Sequence, residues 1–195
     1  MGDGIDDVKR AMRADLRERR QQRSEQANEA AGVGIRDQLD ALVSGLGVAT
    51  MSCYLSTPIE PSTREFLAGA AERGIRVLLP LMRADGLLDW TVADPEAEVV
   101  EAALGVPEPI SDVLSPLAVH EVDLMVIPAA AVDHRGTRLG WGRGYFDKTL
   151  GSMENRPPVY AVIFDSELVE EVPRDVHDQP VTGVVTPTRT VVLTH

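Results

Sequence analysis

The chain is short of the residues that several familiar kinds of site require. It has one cysteine, Cys53, which excludes an intramolecular disulfide and any zinc site built from clustered cysteines. Cys53 lies in the apolar run VATMSCYL and reads as a small buried hydrophobe rather than a nucleophile. No apolar run approaches the ~20 residues needed to span a bilayer. The first twenty residues are charged from the start and lack the apolar stretch of a signal peptide. A Met-Gly start is present, but Asp6 stands where a myristoylation motif needs Ser or Thr. Positive charge is scarce as well: 19 Lys and Arg face 31 Asp and Glu, for a formal net charge of −12. That balance argues against general affinity for nucleic acid or acidic membranes. None of the four histidines shows metal-ligand spacing. His134, His177 and His195 fall in loops or at the tail and His120 precedes a strand, so all four read as surface or structural residues. These absences predict a cytoplasmic protein that binds neither nucleic acid nor membrane.

What is present fits one domain with a helical extension. The chain has 195 residues, 44% of them hydrophobic, enough for a real core. Residues from about Asp3 to Glu29 are rich in good helix formers and carry a weak stripe at Val8, Met12, Leu16 and Arg19. Seven basic residues crowd this stretch, against the acidic trend of the rest. A second helix is predicted from about Gly34 to Leu46, with Ile35, Leu39, Leu42, Val43 and Leu46 on one side. GVATMSCYL, IRVLLP, DLMVIP and VYAVIFD read as buried strands, LLDWTV as a further short strand, and GVVTP and TVVL as closing ones. Ser62 or Thr63 is placed to cap a helix running through Arg73, with Gly74 as its stop. The proline-containing stretch from Asp94 to Pro116 reads mostly as connection with a weak helical patch. Strands apolar on both faces, with helices between them, predict a three-layer α/β/α fold. Its central sheet is mostly parallel, residues 1–46 form helices packed on the body, and ligands bind beyond the carboxyl ends of the strands.

The densest chemistry lies in DLMVIPAAAVDHRGTRLGWGRGYFDKTL. A buried strand runs into a loop where Gly140, Gly142 and Gly144 alternate, which lets the backbone approach a ligand and its amides turn inward. A helix starting near Tyr145 adds its positive end. Arg138 and Arg143 supply cations suited to bidentate phosphate contacts. Asp147 is placed to hold Mg²⁺ against those phosphates. The loop is neither a Walker A sequence nor a G-x-G-x-x-G dinucleotide motif.

RLGWGRGYFDKTL, preceded by DLMVIPAAAVDHRG, resembles the signature of the 5-formyltetrahydrofolate cyclo-ligase family. Three further stretches agree: KRAMR is similar to its N-terminal K-x-x-x-R helix, YLSTPIEPST to its substrate loop, and VPRDVHDQPVTGVVT to its C-terminal block. The resemblance covers most of the chain and implies one such domain over residues 1–195. It implies that ATP phosphates are met by Lys9, Arg10 and Arg13 and by the block Arg138, Leu139, Gly140, Trp141, Gly142, Arg143, Gly144 and Tyr145. Arg138, Arg143 and Tyr145 would carry catalysis. Asp147 and Asp178 would hold Mg²⁺. Leu55, Glu60, Trp141, Gly142 and Tyr145 would receive the folate, with Trp141 and Tyr145 offering aromatic surface. Without the resemblance, the basic face of the first helix reads as solvated, Asp178 as a turn residue and Glu60 as a cap or loop charge. Three positions depart from the pattern: Phe146 lacks a hydroxyl many members have, Trp141 is bulky, and Arg143 replaces a frequent glycine.

The family chemistry implied is an attack of the formyl oxygen on the γ-phosphate of ATP. Ring closure by the neighbouring nitrogen follows, with loss of phosphate. Such chemistry needs positioning and charge stabilisation rather than a protein nucleophile, and no Ser-His-Asp or Cys-His constellation is present. The resemblance implies ATP and Mg²⁺ as cofactors and a folate substrate, with or without a polyglutamate tail. A monomer is expected. The alternatives are an ATP-dependent ligase or kinase for a non-folate substrate, and a binder of folate or nucleotide without turnover.

Overall fold

The computed structural model describes residues 2–94, 99–101, 107–109 and 112–193. Two helices open it, α1 (Gly2–Gln21) and α2 (Glu25–Leu46). The expected single helix from Asp3 to Glu29 is therefore interrupted, and the next does not wait for Gly34. Ser24 takes an extended conformation (φ −71°, ψ 154°) and its Oγ accepts the Ala27 N–H at 3.2 Å, capping α2. Such a cap contributes about 1 kcal/mol, enough to end a run of otherwise uniform helix formers. Gly32 and Gly34 lie inside α2 because neighbours press on them. A Cβ on Gly32 would meet the Glu65 side chain at 3.3 Å, and one on Gly34 would run into the Pro187 backbone. Gly47, in the left-handed region, closes the helix.

The sheet strands are β1 (Thr50–Ser52), β2 (Arg76–Met82), β3 (Leu88–Val92), β6 (Leu124–Pro128), β9 (Val159–Val162), β11 (Gly183–Val185) and β12 (Thr190–Val192). They form one seven-stranded sheet in the order β12-β11-β9-β6-β1-β2-β3. The five central strands are parallel, and antiparallel β3 and β12 close the two edges. Alternate residues feed opposite faces. Val77, Leu79, Leu124, Val126, Tyr160 and Val162 pack under α2 and under α3 (Arg64–Ala70). Leu78, Met125, Ile127, Val159 and Ala161 face the layer that contains α4 (Tyr145–Ser152) and the 3-10 turn Pro116–Glu121. Both faces are covered, which is why the strands read as continuous apolar runs. The three-layer α/β/α reading holds. Cys53 is buried in the α2 side of this core, and burial pushes its thiol up to about 12.

Several elements differ from expectation. Thr63 precedes α3 but does not cap it; its Oγ1 donates to the Tyr54 carbonyl at 2.6 Å. Within the stretch read as connection, β4 (Val99–Glu101) and β5 (Pro107–Pro109) pair antiparallel; the rest of the expected helical patch lies largely outside the described residues, as does His195. A small third sheet was not foreseen: β7 (Ala131–Asp133), β8 (Arg138–Leu139) and β10 (Leu168–Val169). α1 packs on it through Leu16, with Met12 alongside. The expected apolar stripe of α1 is displaced, since Val8 is 53% exposed and Arg19 is exposed. Lys9, Leu16 and Arg20 are buried instead, because Leu16 packs on the small sheet while Lys9 and Arg20 each find a carboxylate partner.

Asp123 ties the far end of the sheet together. Its Oδ2 accepts the N–H groups of Ala49 and Thr50 at 3.0 and 2.9 Å, and these bonds hold its carboxyl below the usual carboxylate range. A lowered folded-state pKa stabilises above the unfolded value and is lost as pH falls through the folded one. Asp123→Ala is therefore expected to lower the melting temperature at pH 7. The gap from the unsubstituted protein should close as pH drops below about 4; thermal melts from pH 7 to pH 2.5 check this, and a constant gap contradicts it.

Candidate active site

The chain leaves β1 toward β2 on one side and returns to place β6 on the other, so the sheet order reverses between β1 and β6. Open α/β sheets bind ligands at such a switch, beyond the carboxyl ends of the strands. A cleft of about 920 Å³ lies there, bordered by Tyr54 and Leu55 after β1, Pro80 and Met82 of β2, and Pro128 of β6. α1, the glycine loop and the segment 175–179 complete its walls.

The hairpin β7–β8 brings in Arg138. Asp133 organises its turn: Oδ1 accepts the N–H groups of Arg135 and Thr137, each at 2.9 Å, and Oδ2 accepts the Val172 N–H at 3.2 Å. Arg138 is 5% exposed. Its guanidinium donates to the Pro128 carbonyl at 3.2 Å and to Asp147 Oδ2 at 2.9 Å, while Nε is buried without a partner. Asp147, in the first turn of α4, also accepts the Gln179 N–H at 3.3 Å. Across the cleft, Lys9 of α1 pairs with Asp178 at 2.5 Å. Asp178 Oδ2 also accepts the Asp175 N–H at 2.7 Å, which fixes the C-terminal loop.

The three alternating glycines have different jobs. Gly142 (φ 93°) and Gly144 (φ 69°) occupy the left-handed region, and Gly144 precedes α4 without a side-chain cap. Gly140 does not need a positive φ; a Cβ there would lie 2.7 Å from the Arg138 guanidinium. Arg13 Nε donates to the Gly140 carbonyl at 2.7 Å, and a Cβ on Gly142 would meet the Arg13 guanidinium carbon at 3.3 Å. The glycines thus admit arginines as well as any ligand. Burial lowers the pKa of Arg13, opposed by nearby Asp6 and Asp178; a guanidinium nonetheless stays charged.

Most of the sequence-predicted residues converge. Lys9, Arg13, Leu55, Glu60, Asp147 and Asp178 all border the cleft, as does the whole run Arg138 to Tyr145. Glu60 Oε2 accepts from the Thr57 N–H and hydroxyl at 2.8 and 2.9 Å, so its loop holds the carboxylate at the cleft wall. Arg143 is exposed at the rim. Arg10 is placed elsewhere: it is exposed, pairs with Asp7 of its own helix, and does not border the cleft. Tyr145 is half-buried and its hydroxyl donates to the Arg83 carbonyl at 3.0 Å, tying α4 to the β2–β3 turn. Trp141 lies with the guanidinium groups of Arg17 and Arg20 at 5.3 and 5.0 Å from its ring. Its aromatic face is therefore already engaged by α1.

Other cleft residues went unnoticed in the sequence. Arg17 sits one turn after Arg13, a spacing that could have revealed it. Lys148, Gln179 and the apolar residues Ile59, Pro80, Met82 and Leu88 gave no signal, because only folding brings them to one place. Among the described residues, no three His, Cys, Asp or Glu side chains cluster to hold a metal alone.

A parallel sheet with a cleft at its switch point, walled by paired cations and carboxylates, defines an α/β enzyme acting on a small ligand. The 5-formyltetrahydrofolate cyclo-ligase family pattern matches residues 5–187. The 5-formyltetrahydrofolate cyclo-ligase of Mycolicibacterium smegmatis is 36% identical over 171 residues, covering 84% of this chain and 88% of that protein. The enzyme of the same name from Escherichia coli is 33% identical over 145 residues, 72% of this chain and 79% of that one. The NMR structure of Aquifex aeolicus 5,10-methenyltetrahydrofolate synthetase superposes with a TM-score of 0.80 at 22% identity, covering 96% of this chain and 94% of the other. A Mycoplasma pneumoniae 5,10-methenyltetrahydrofolate synthetase gives 0.73 at 17% identity, covering 92% and 98%; at these identities the likeness is one of fold. The chain belongs to the 5-formyltetrahydrofolate cyclo-ligase family.

Two glycine substitutions should differ in sign. Gly142→Ala forces a side chain into the left-handed region against Arg13, and is expected to destabilise by about 1–3 kcal/mol. Gly45→Ala fills open space on α2 and is expected to stabilise by about 0.4–1 kcal/mol. Urea unfolding of both variants checks the contrast; equal effects would discount the packing of Arg13 on the loop.

Proposed function

We propose that the chain converts 5-formyltetrahydrofolate to 5,10-methenyltetrahydrofolate in an ATP- and Mg²⁺-dependent reaction that releases ADP and phosphate. The observation that carries this reading is the pairing of Lys9 with Asp178 and Arg138 with Asp147 around one cleft. Cations for phosphate oxygens and carboxylates for a metal stand side by side, each already held in place.

The donor set suits magnesium, which takes one or two carboxylates and fills its remaining positions with phosphate oxygens and water. Asp147 and Asp178 would hold the ion, and when bound it would offset charge on the transferring phosphoryl group. Lys9, Arg13 and Arg138 bind and orient the polyphosphate, and the amides ahead of α4 face the same anion. Leu55, Ile59, Pro80, Met82 and Leu88 supply an apolar wall for a flat heterocycle, with Glu60 as its polar anchor. Arg143, Tyr145 and Trp141 border the place where the two ligands meet. The relatives are named for 5-formyltetrahydrofolate or for 5,10-methenyltetrahydrofolate, which supports the choice of substrate and product.

The cleft is complete within one chain, which supports a monomer as the working unit. Exposed Arg143 and Lys148 at its border suit an anionic polyglutamate tail. A lone buried thiol suits the reducing cytoplasm.

Mixing the protein with 5-formyltetrahydrofolate, ATP and Mg²⁺ at mildly acidic pH should raise the near-ultraviolet absorbance of the methenyl product. Omitting ATP or Mg²⁺ should abolish the rise. Arg138→Ala and Asp147→Ala are each expected to lose about a hundredfold or more in turnover, with unchanged circular dichroism. A flat trace from the folded protein, or near-normal rates in either variant, would overturn the reading.

A further inference from the structure

Lys9, Arg13, Leu16 and Arg20 recur every three or four residues and so share one face of α1. Arg20 nevertheless cannot touch a ligand in the cleft. It lies roughly 16 Å along the helix from Lys9, does not border the cavity, and its side chain is 1% exposed. Its Nε and one terminal nitrogen donate to the two oxygens of Glu167, both at 2.7 Å. The same terminal nitrogen donates to the Ala129 carbonyl at 2.8 Å. Glu167, in the 3-10 turn Asp165–Glu167, is fixed in turn by the Phe164 N–H at 2.8 Å.

A buried ion pair is a poor means of holding a helix down, because desolvation offsets most of the Coulomb attraction and apolar residues often do as well. A two-pronged guanidinium–carboxylate pair does something an apolar contact does not. It fixes both the rotation of the helix and its position along its axis. The anchoring point matters equally. Ala129 follows Pro128, whose carbonyl accepts from Arg138, so Arg20 and Arg138 hang on consecutive carbonyls at the end of β6. Arg20 also packs on Trp141 within the glycine loop.

We infer that Arg20 and Glu167 are positioning residues that set the register of α1 over the cleft and so deliver Lys9 and Arg13 to the nucleotide. The inference rests on the ATP-dependent reading above. It predicts that the pair governs nucleotide binding while touching neither substrate.

The test uses the full chain carrying Arg20→Lys, Glu167→Gln, or the apolar double replacement Arg20→Met with Glu167→Leu. The double variant removes both charges together and so keeps the comparison available if single replacements fold poorly. In folded variants, KM for ATP is expected to rise about tenfold or more. KM for the formylfolate and kcat at saturation of both substrates should stay within about threefold. Arg20→Lys should behave like the others, because it keeps the charge but loses the fork. A wild-type KM for ATP in the folded double variant or in Arg20→Lys overturns the inference, as does an equal rise in both KM values. Calorimetric titration with Mg·ATP separates this from a failure of the functional reading. If the unsubstituted protein binds Mg·ATP without turnover, a tenfold weaker Kd in the variants still supports the positioning role, and an unchanged Kd sinks it. If the unsubstituted protein does not bind Mg·ATP, both readings fall together.

Discussion

The docking of α1 on the carboxyl end of β6 is the contact on which the cleft depends. α1 brings Lys9, Arg13 and Arg17 to the cavity, and it is not held there by the apolar stripe its sequence suggests, since Val8 is exposed. The helix is retained by an unusual mixture: Leu16 on the small sheet, Arg13 on the Gly140 carbonyl, and Arg20 on Glu167 and Ala129. Each polar contact lands on a backbone carbonyl or a carboxylate. α1 is therefore a wall of the site rather than an appendage.

The net charge of −12 makes the local arrangement more informative. An anionic ligand approaches against the general field, so the cations that receive it must be fixed and close. Free guanidinium groups inside a cleft would repel one another and would have to be desolvated alone. Pairing Lys9 with Asp178 and Arg138 with Asp147 solves this in the absence of ligand. It also means that a polyphosphate carrying its own divalent ion could exchange both halves of each pair together, phosphate oxygens for the cations and metal for the carboxylates. Neither component by itself offers that exchange. On the proposed reading, the metal–nucleotide complex rather than free ATP would be the species that enters.

Local pattern carried much of this structure. The buried parallel strands were legible because both faces of the sheet are covered, which removes the alternation a half-exposed strand would show. The glycine block was legible because its residues are consecutive, and the family resemblance added the distant Lys9, Glu60 and Asp178. The rest was hidden for identifiable reasons. Ser24 sits in a run of helix formers, and nothing but its capping oxygen marks the break. The β7–β8 hairpin has strands of three and two residues, too short to show a period. Arg20 and Glu167 are 147 positions apart, and each looks like an ordinary surface charge until folding joins them. Trp141 read as a surface for substrate, whereas the arginines of α1 already lie against it.

The cleft's two sides explain why a binder without turnover is the weaker reading of this architecture. On the proposed reading, a protein that merely held a folate would need the apolar wall and Glu60, and one that merely held a nucleotide would need the glycine loop and its cations. Here both stand on one sheet switch point, with the β2–β3 hairpin of the apolar side tied to the start of α4 through the Tyr145 hydroxyl and the Arg83 carbonyl. Arg83 is itself held by Asp85 and Asp89, and those hydrogen bonds raise its pKa. The two walls of the cleft are thereby joined by a direct hydrogen bond. Holding two reactants at a fixed separation is the contribution that converts an encounter between them into a reaction within one complex. A phosphoryl transfer without a protein nucleophile depends on that contribution above all.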